Sequence, residues 1–337
     1  MVQSSGVTLQ DIACPENLLC GLERALRGTK RTLAVERFCG RMSRELADLR
    51  VRILSERLQL GRATEFVIFD PKPRRVLAPI FEERVLHHAV MAHVGPVLER
   101  SLVADTFACL RGRGTLAAVL RAQQNSRRFG WFGQLDIRQY FASIQHDVLL
   151  GLLFRRFRNA GVRRLLEQIV RSGLPGPAGL PIGSLCSQQF ANAFLGGLDH
   201  KLLDHAAVRG LVRYMDDIVF WGDSRAAIAE ALQLANEVIS GTLKLRLRDE
   251  PVVNRVEHGL SFCGYRIFPG ILRVLPRRKR RFIAARRKWE TRYLAGLITD
   301  LELQRGYDAA AGILAHADTA EWRRRQLALS PPDVRLE

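Results

Sequence analysis

Leu211-Val212-Arg213-Tyr214-Met215-Asp216-Asp217-Ile218-Val219-Phe220-Trp221 reads as two short apolar strands with adjacent carboxylates at the bend between them. A hairpin turn takes one Asp readily, because that side chain can hydrogen-bond nearby backbone. The turn does not require a second. Two anions side by side among Val212, Ile218, Val219 and Phe220 repel each other in poorly hydrated surroundings unless a cation sits between them. Mg²⁺ is the economical cation, since it takes a few carboxylate oxygens and completes its shell with water and substrate phosphates.

An acidic pair alone does not fix two metal ions, so a third carboxylate is expected elsewhere in the chain. Gly130-Trp131-Phe132-Gly133-Gln134-Leu135-Asp136-Ile137-Arg138-Gln139-Tyr140-Phe141 supplies it: another apolar strand, ending in Asp136 just before a helical segment. Asp136, Asp216 and Asp217 together would hold two ions about 4 Å apart, the arrangement that activates an attacking hydroxyl and stabilises a leaving phosphate oxygen. That chemistry is nucleotidyl transfer. Taken singly, an Asp-Asp on a loop is usually solvated surface and a strand-ending Asp is usually a helix cap. The two motifs together are what point to a site.

The rest of the composition agrees with a phosphate-handling protein. With 337 residues and 47% hydrophobic content the chain can bury a large core and divide into two or three lobes. Its 52 Lys and Arg against 34 Asp and Glu give a net charge of +18, which favours a polyanionic partner through counterion release. No run of about 18 uncharged apolar residues occurs and Met1 to Gly6 lacks the basic-then-apolar order of a secretion signal, so a cytoplasmic protein without membrane contact is expected. The six cysteines show no C-x-x-C spacing and mostly have apolar neighbours, which predicts buried free thiols and neither zinc site nor disulfide.

Along the chain, leucines at helix-like intervals predict a helical layer over residues 1–60, and Glu65 to Phe69, a turn at Asp70 to Arg75, and Val76 to Ala78 predict a hairpin with a basic tip. His87 and His88 point about 100° apart on a predicted helix and are expected to pack or face RNA rather than share a metal. Asp147 to Arg171 and Ala226 to Ile239 predict helices, and Leu243 to Arg248 alternates as a strand. Pro276 onward predicts a helix with Phe282, Trp289 and Tyr293 as a core stripe and ten basic residues between Arg273 and Arg292, suited to lying along a nucleic-acid duplex.

Tyr214-Met215-Asp216-Asp217 resembles the signature turn of reverse transcriptases, and Leu135-Asp136-Ile137-Arg138-Gln139-Tyr140-Phe141 resembles their first catalytic strand. The resemblance implies an α+β right-hand polymerase fold: an N-terminal helical extension (1–60), fingers (61–130, with 148–180 returning to them), a palm of antiparallel sheet backed by helices (131–272), and a short basic helical thumb (273–337). It places Asp136, Asp216 and Asp217 as catalytic residues, with Ile137 counted among the metal contacts of two Mg²⁺ ions, Mn²⁺ being a substitute. Lys72 and Arg74 at the hairpin tip become candidates for the phosphates of an incoming dNTP. Tyr214, Met215, Ile182, Gly183 and Gln188 join the nucleotide site. Phe141 would lie under the sugar, where a ring excludes a 2′-hydroxyl, while Tyr140 points away. Arg111 and Arg113 in a Gly-Arg loop, Gly264 and Tyr265 in a segment similar to the primer-grip hairpin, and Arg277, Arg278 and Arg281 would touch primer or template.

One segment narrows the resemblance. Where most reverse transcriptases read Q-G-x-x-x-S-P, this chain reads Ile182-Gly183-Ser184-Leu185-Cys186-Ser187-Gln188, the variant of diversity-generating retroelement reverse transcriptases. Ile182 offers a nascent base pair only apolar contact where glutamine would offer hydrogen bonds, which implies error-prone copying of template adenine. The family further implies a structured template-repeat RNA, an RNA–cDNA hybrid, and a small basic helical accessory protein as partners. An antiviral-defence reverse transcriptase and a catalytically idle RNA-binding scaffold remain as alternatives.

Overall fold

The computed structural model describes residues 4–69, 73–312, 314, 316–329 and 331. Four helices open it: α1 (Leu9–Ile12), α2 (Pro15–Leu26), α3 (Leu33–Gly40) and α4 (Met42–Leu54). Their starts follow from capping chemistry: Thr8 and Asp11 cap α1 reciprocally, and Thr32 accepts from Val35 N at the head of α3. β1 (Ala63–Phe69) and β2 (Pro73–Pro79) pair antiparallel as a separate two-stranded sheet, followed by α5 (Phe81–Glu99), which packs on α2.

α6 (Thr115–Arg128), β3 (Trp131–Asp136), α7 (Tyr140–Ser143), α8 (His146–Phe154), α9 (Ala160–Ser172), α10 (Leu185–Phe194) and α11 (Gly196–Asp204) come next. β4 (Gly210–Tyr214), β5 (Asp217–Gly222), α12 (Arg225–Glu237) and β6 (Val252–Arg255) complete the middle of the chain. The four strands form an antiparallel sheet in the order β4-β5-β3-β6. β7 (Leu260–Phe262), β8 (Tyr265–Ile267) and β9 (Leu272–Val274) form a second antiparallel sheet, and α13 (Pro276–Leu294), α14 (Asp300–Gly312) and α15 (Ala320–Leu329) end the described chain.

The near-continuous apolar run of β5 is explained by burial on both faces of the central sheet. Ile218 and Phe220 join one core with α5, α8 to α12 and the N-terminal helices, whereas Val219 and Trp221 join another with α6, the three-stranded sheet and α13. Period-2 alternation therefore sends successive apolar residues of β5 to one core and then the other. The α+β architecture with antiparallel sheets matches the expected fold class.

Local departures have identifiable causes. Asp147 to Arg171 is two helices, because Asn159 caps a new one at Val162 N. Leu243 to Arg248 is an irregular segment with one isolated bridge, between Leu247 and Ile137 just beyond β3; α12 runs on into a π turn at Val238–Thr242, and Lys244 then takes φ +54°. The thiols are free, yet only Cys186 is buried, while Cys20, Cys39 and Cys109 are exposed. On α13 the stripe begins with buried Phe282, but Arg286 and Glu290 are buried beside it as an ion pair. Among the described residues no helix is long and apolar enough to cross a membrane.

Candidate functional site

β3 and β5 are far apart in sequence and adjacent in space, and their register decides the site. Asp136 stands directly opposite Asp217, and Tyr214 pairs with Asp217 across the β4–β5 hairpin, which leaves Met215 and Asp216 as its two-residue turn. Facing residues of an antiparallel pair have Cβ atoms about 5 Å apart, so the first and third carboxylates are neighbours by construction. Alternation along β3 puts Gln134 on the same face as Asp136, beneath the three-stranded sheet.

Gln134 is a site residue the sequence reading missed. Its Nε2 donates to Asp217 Oδ1 at 2.9 Å and to Ser261 O at 3.0 Å, tying the carboxylate to β7. Both amide hydrogens are thereby used. Arg248 Nη1 pairs with Asp136 Oδ2, and Arg248 N donates to Asp136 O at 2.9 Å. Arg138 N likewise donates to Arg246 O, so the ladder bonds flank Ile137, whose side chain is fully buried and whose own peptide groups turn the other way, toward the β4–β5 turn. Ile137 can contact a ligand there only through backbone.

The electrostatics are those of incompletely compensated anions. Burial raises Asp216 above the ordinary carboxylate range; Asp136 adds to the rise, and the charges of Arg248 and Arg74 oppose it. Burial pushes Asp217 up to about 7, with the Gln134 hydrogen bond pulling it down and Asp136 and Asp216 pushing it further up. Cys263, at the β7–β8 turn, is also raised, first by burial and then by Asp217, which locates that turn beside the carboxylates. Three oxygen donors that disfavour one another's charge suit a hard divalent cation. Among the described residues no three His, Cys, Asp or Glu side chains are gathered tightly enough to be a finished cage, Asp136 and Asp217 being turned to Arg248 and Gln134.

The model of the reverse transcriptase (RNA-dependent DNA polymerase) family matches residues 71–267, a span that contains both acidic motifs. The chain belongs to the reverse transcriptase family. This reverse transcriptase is 24% identical over 302 residues to "Protein YkfC" of Escherichia coli K12, covering 73% of this chain and 79% of that protein. It is 28% identical over 95 residues to a "Putative COX1/OXI3 intron 2 protein" of Saccharomyces cerevisiae, covering 26% of this chain and 11% of that one. A solved structure of apo telomerase from Candida tropicalis, truncated from its C-terminal domain, aligns with TM-score 0.48 and 11% identity over 64% of this chain and 55% of its own. The protein is an RNA-directed DNA polymerase, with an RNA template and dNTP substrates, in a family that generally uses divalent metal ions.

The remaining residues of interest fall around the carboxylates at different depths. Arg74 is exposed on β2, and its charge reaches Asp216; Lys72 lies outside the described residues. Phe141 is half-buried edge-on to Tyr140, whose buried hydroxyl donates to Ala191 O. Ile182 is half-buried and its carbonyl accepts from Leu77 N at 2.8 Å. Gly183 has φ +116°, and a Cβ there would stand 2.7 Å from Leu77 O, so only glycine lets this turn dock on β2. Ser184 then caps α10, and half-buried Gln188 lies against Cys109.

Arg111 is exposed, but Arg113 donates to Val103 O, Ala104 O and Thr106 O, which uses it to hold its own loop. Cys263 and Gly264 both adopt positive φ in the two-residue turn of β7–β8. Tyr265 is buried, with Arg278 stacked 4.2 Å from its ring centroid and bonded to its hydroxyl, so this pair shapes the turn. Arg277 and Arg281 are exposed on α13. Next to Asp136 an open polar cleft is lined by Arg138, Gln139, Ser143, Gln145, Lys244 and Arg246.

Proposed function

We propose that this reverse transcriptase makes cDNA through Asp136, Asp216 and Asp217, with residues 61–130 and 148–180 as fingers, 131–272 as palm and 273–337 as thumb. The observation that carries the reading is the pairing of Asp136 with Asp217 beside the turn that presents Asp216. Two Mg²⁺ ions held by these carboxylates and the Ile137 backbone would supply Lewis-acid activation of a primer 3′-hydroxyl and neutralise charge on the departing pyrophosphate. Arg74, whose charge already reaches Asp216, draws the triphosphate of a dNTP toward the same end of the sheet. Phe141 closes the floor under the sugar. The net charge of +18 and the exposed arginines of α13 favour retention of an RNA–cDNA hybrid.

The finer assignment is to the diversity-generating type, in which adenine-mutagenised cDNA is copied from a structured template-repeat RNA with a small basic accessory protein. It is supported by Ile182 and Gln188, and by the fact that the Ile182–Gly183 turn is bonded to β2, so that an apolar residue is held where the nucleotide-side ribbon meets the helix cap at Ser184. Primer extension tests the first statement: Asp216→Ala abolishes synthesis while RNA binding remains measurable, and retained synthesis refutes it. Sequencing of the cDNA tests the second, since Ile182→Gln lowers errors opposite adenine, and an unchanged spectrum counts against it.

A further inference from the structure

The strand that delivers the acidic turn carries a charge in the middle of its apolar run. Arg213 and Asp199 are both fully buried, a placement usually too costly for a charge unless every polar group is matched. Here the match is complete. Arg213 Nε donates to both Asp199 oxygens at 2.8 and 2.7 Å, Nη1 donates to Asn192 Oδ1 at 2.9 Å and Met215 O at 3.1 Å, and Nη2 donates to Asn192 O at 3.0 Å and Thr106 Oγ1 at 3.5 Å. Burial pushes the Asp199 carboxyl up and Arg213 pulls it back down. Well-packed apolar side chains commonly stabilise a core as well as a buried ion pair does, so stability alone does not account for this one. What an apolar pair lacks is a donor for Met215 O.

That carbonyl belongs to a strained residue. Met215 has φ +59°, a left-handed conformation that a side chain disfavours, and it immediately precedes Asp216. Phe107 N donates to Arg213 O and Arg213 N to Asp105 O, so the backbone of the clamp is itself fixed from the outer side of β4. We propose that Arg213 is a positioning residue: braced by Asp199 on α11 and Asn192 on α10, it holds the Met215 carbonyl, and with it the turn, so that Asp216 faces Asp136. This rests on the reading of Asp136, Asp216 and Asp217 as the metal-binding set. Lysine, a compact ammonium without the planar fork, does not reproduce the spread of donors that reaches Asp199, Asn192 and Met215 together.

Two variants separate clamp from charge partner. Arg213→Met combined with Asp199→Leu removes both charges, and Arg213→Lys keeps a cation against Asp199 should the double variant misfold. Each is compared with wild type and Asp216→Asn in thermal melting, amide hydrogen exchange across residues 214–217, and Mn²⁺ binding to the protein alone by electron paramagnetic resonance. In whichever variant melts near wild type, the turn amides exchange at least tenfold faster and Mn²⁺ binds at least tenfold more weakly; in primer extension kcat falls about tenfold or more with KM for dNTP little changed. Unchanged exchange and unchanged Mn²⁺ affinity in a folded variant overturn the clamp and leave Arg213 a structural charge partner. Equal Mn²⁺ binding by wild type and Asp216→Asn would sink the metal reading instead, and the exchange data alone would then decide the clamp.

Discussion

Two acidic clusters lie on either side of the β4–β5 turn, and the protein treats them in opposite ways. Asp199, beneath it, is given a guanidinium that satisfies both of its oxygens. Asp216 and Asp217, above it, are deeply set yet have no ion-pair partner among the described residues; a backbone hydrogen bond at Asp216, the amide of Gln134 on Asp217 and the charges of Arg248 and Arg74 oppose their burial. Internal charge of structural use is neutralised by the chain itself. In the proposed reading, the charge left uncompensated at Asp216 and Asp217 is charge kept for a ligand.

Breaking each cluster should therefore have opposite consequences for stability. Asp199→Ala strands a buried guanidinium and lowers unfolding free energy by about 3–5 kcal/mol in urea titrations. Asp217→Asn removes one of three mutually repelling carboxyls and keeps an acceptor for Gln134; in the absence of divalent ions it raises stability by about 1 kcal/mol or more while extinguishing primer extension. A destabilised Asp217→Asn, or an Asp199→Ala that melts like wild type, would erase the distinction between the two clusters.

A third buried group sharpens the comparison, because it avoids charge altogether. His87, with Ser184, Glu83 and His88 around it, is held down to about 4 by burial and by His88, and burial raises Glu83. Both directions favour a neutral pair. A folded value below the unfolded one means that stability is fully present above about pH 6.5 and is lost as pH falls through 6.5 toward about 4. The loss over that window is about 3 kcal/mol, and His87→Gln removes this part of the pH slope when urea midpoints are compared at pH 7 and 4.5. An unchanged slope would mean that His87 is not held neutral.

The smallest effect concerns Arg248, whose pair with Asp136 is 50% and 37% exposed. Exposed pairs contribute little, so Arg248→Gln shifts stability by less than about 1 kcal/mol. It tightens Mn²⁺ binding several-fold, since Arg248 competes for an Asp136 oxygen, and weaker binding would instead make Arg248 part of the ligand-holding set.

Much of this site was legible in the chain before it folded. Asp216 and Asp217 stand out because two anions in an apolar run violate hydrophobic patterning, and Asp136 because it ends a strand of the same kind. Gln134, Arg213 and Asp199 were not legible: a Gln within a strand, an Arg before a Tyr and an Asp on a polar-looking helix carry no local signal, and their roles exist only through partners distant in sequence. The stacking of Arg278 on Tyr265 was not legible for the same reason, since an aromatic and a cation near a turn give no local sign that they meet each other.

By itself the sequence determined most of the elements, because capping residues, period-2 alternation and turn chemistry act within a few residues of chain: Thr8 and Ser184 start helices, and Met215–Asp216 and Cys263–Gly264 bend hairpins. Only the tertiary structure decided which charges are answered and which are left open. Electrostatic compensation depends on distance and burial in three dimensions, and the β3–β5 register and the packing of α10 and α11 under β4 set both.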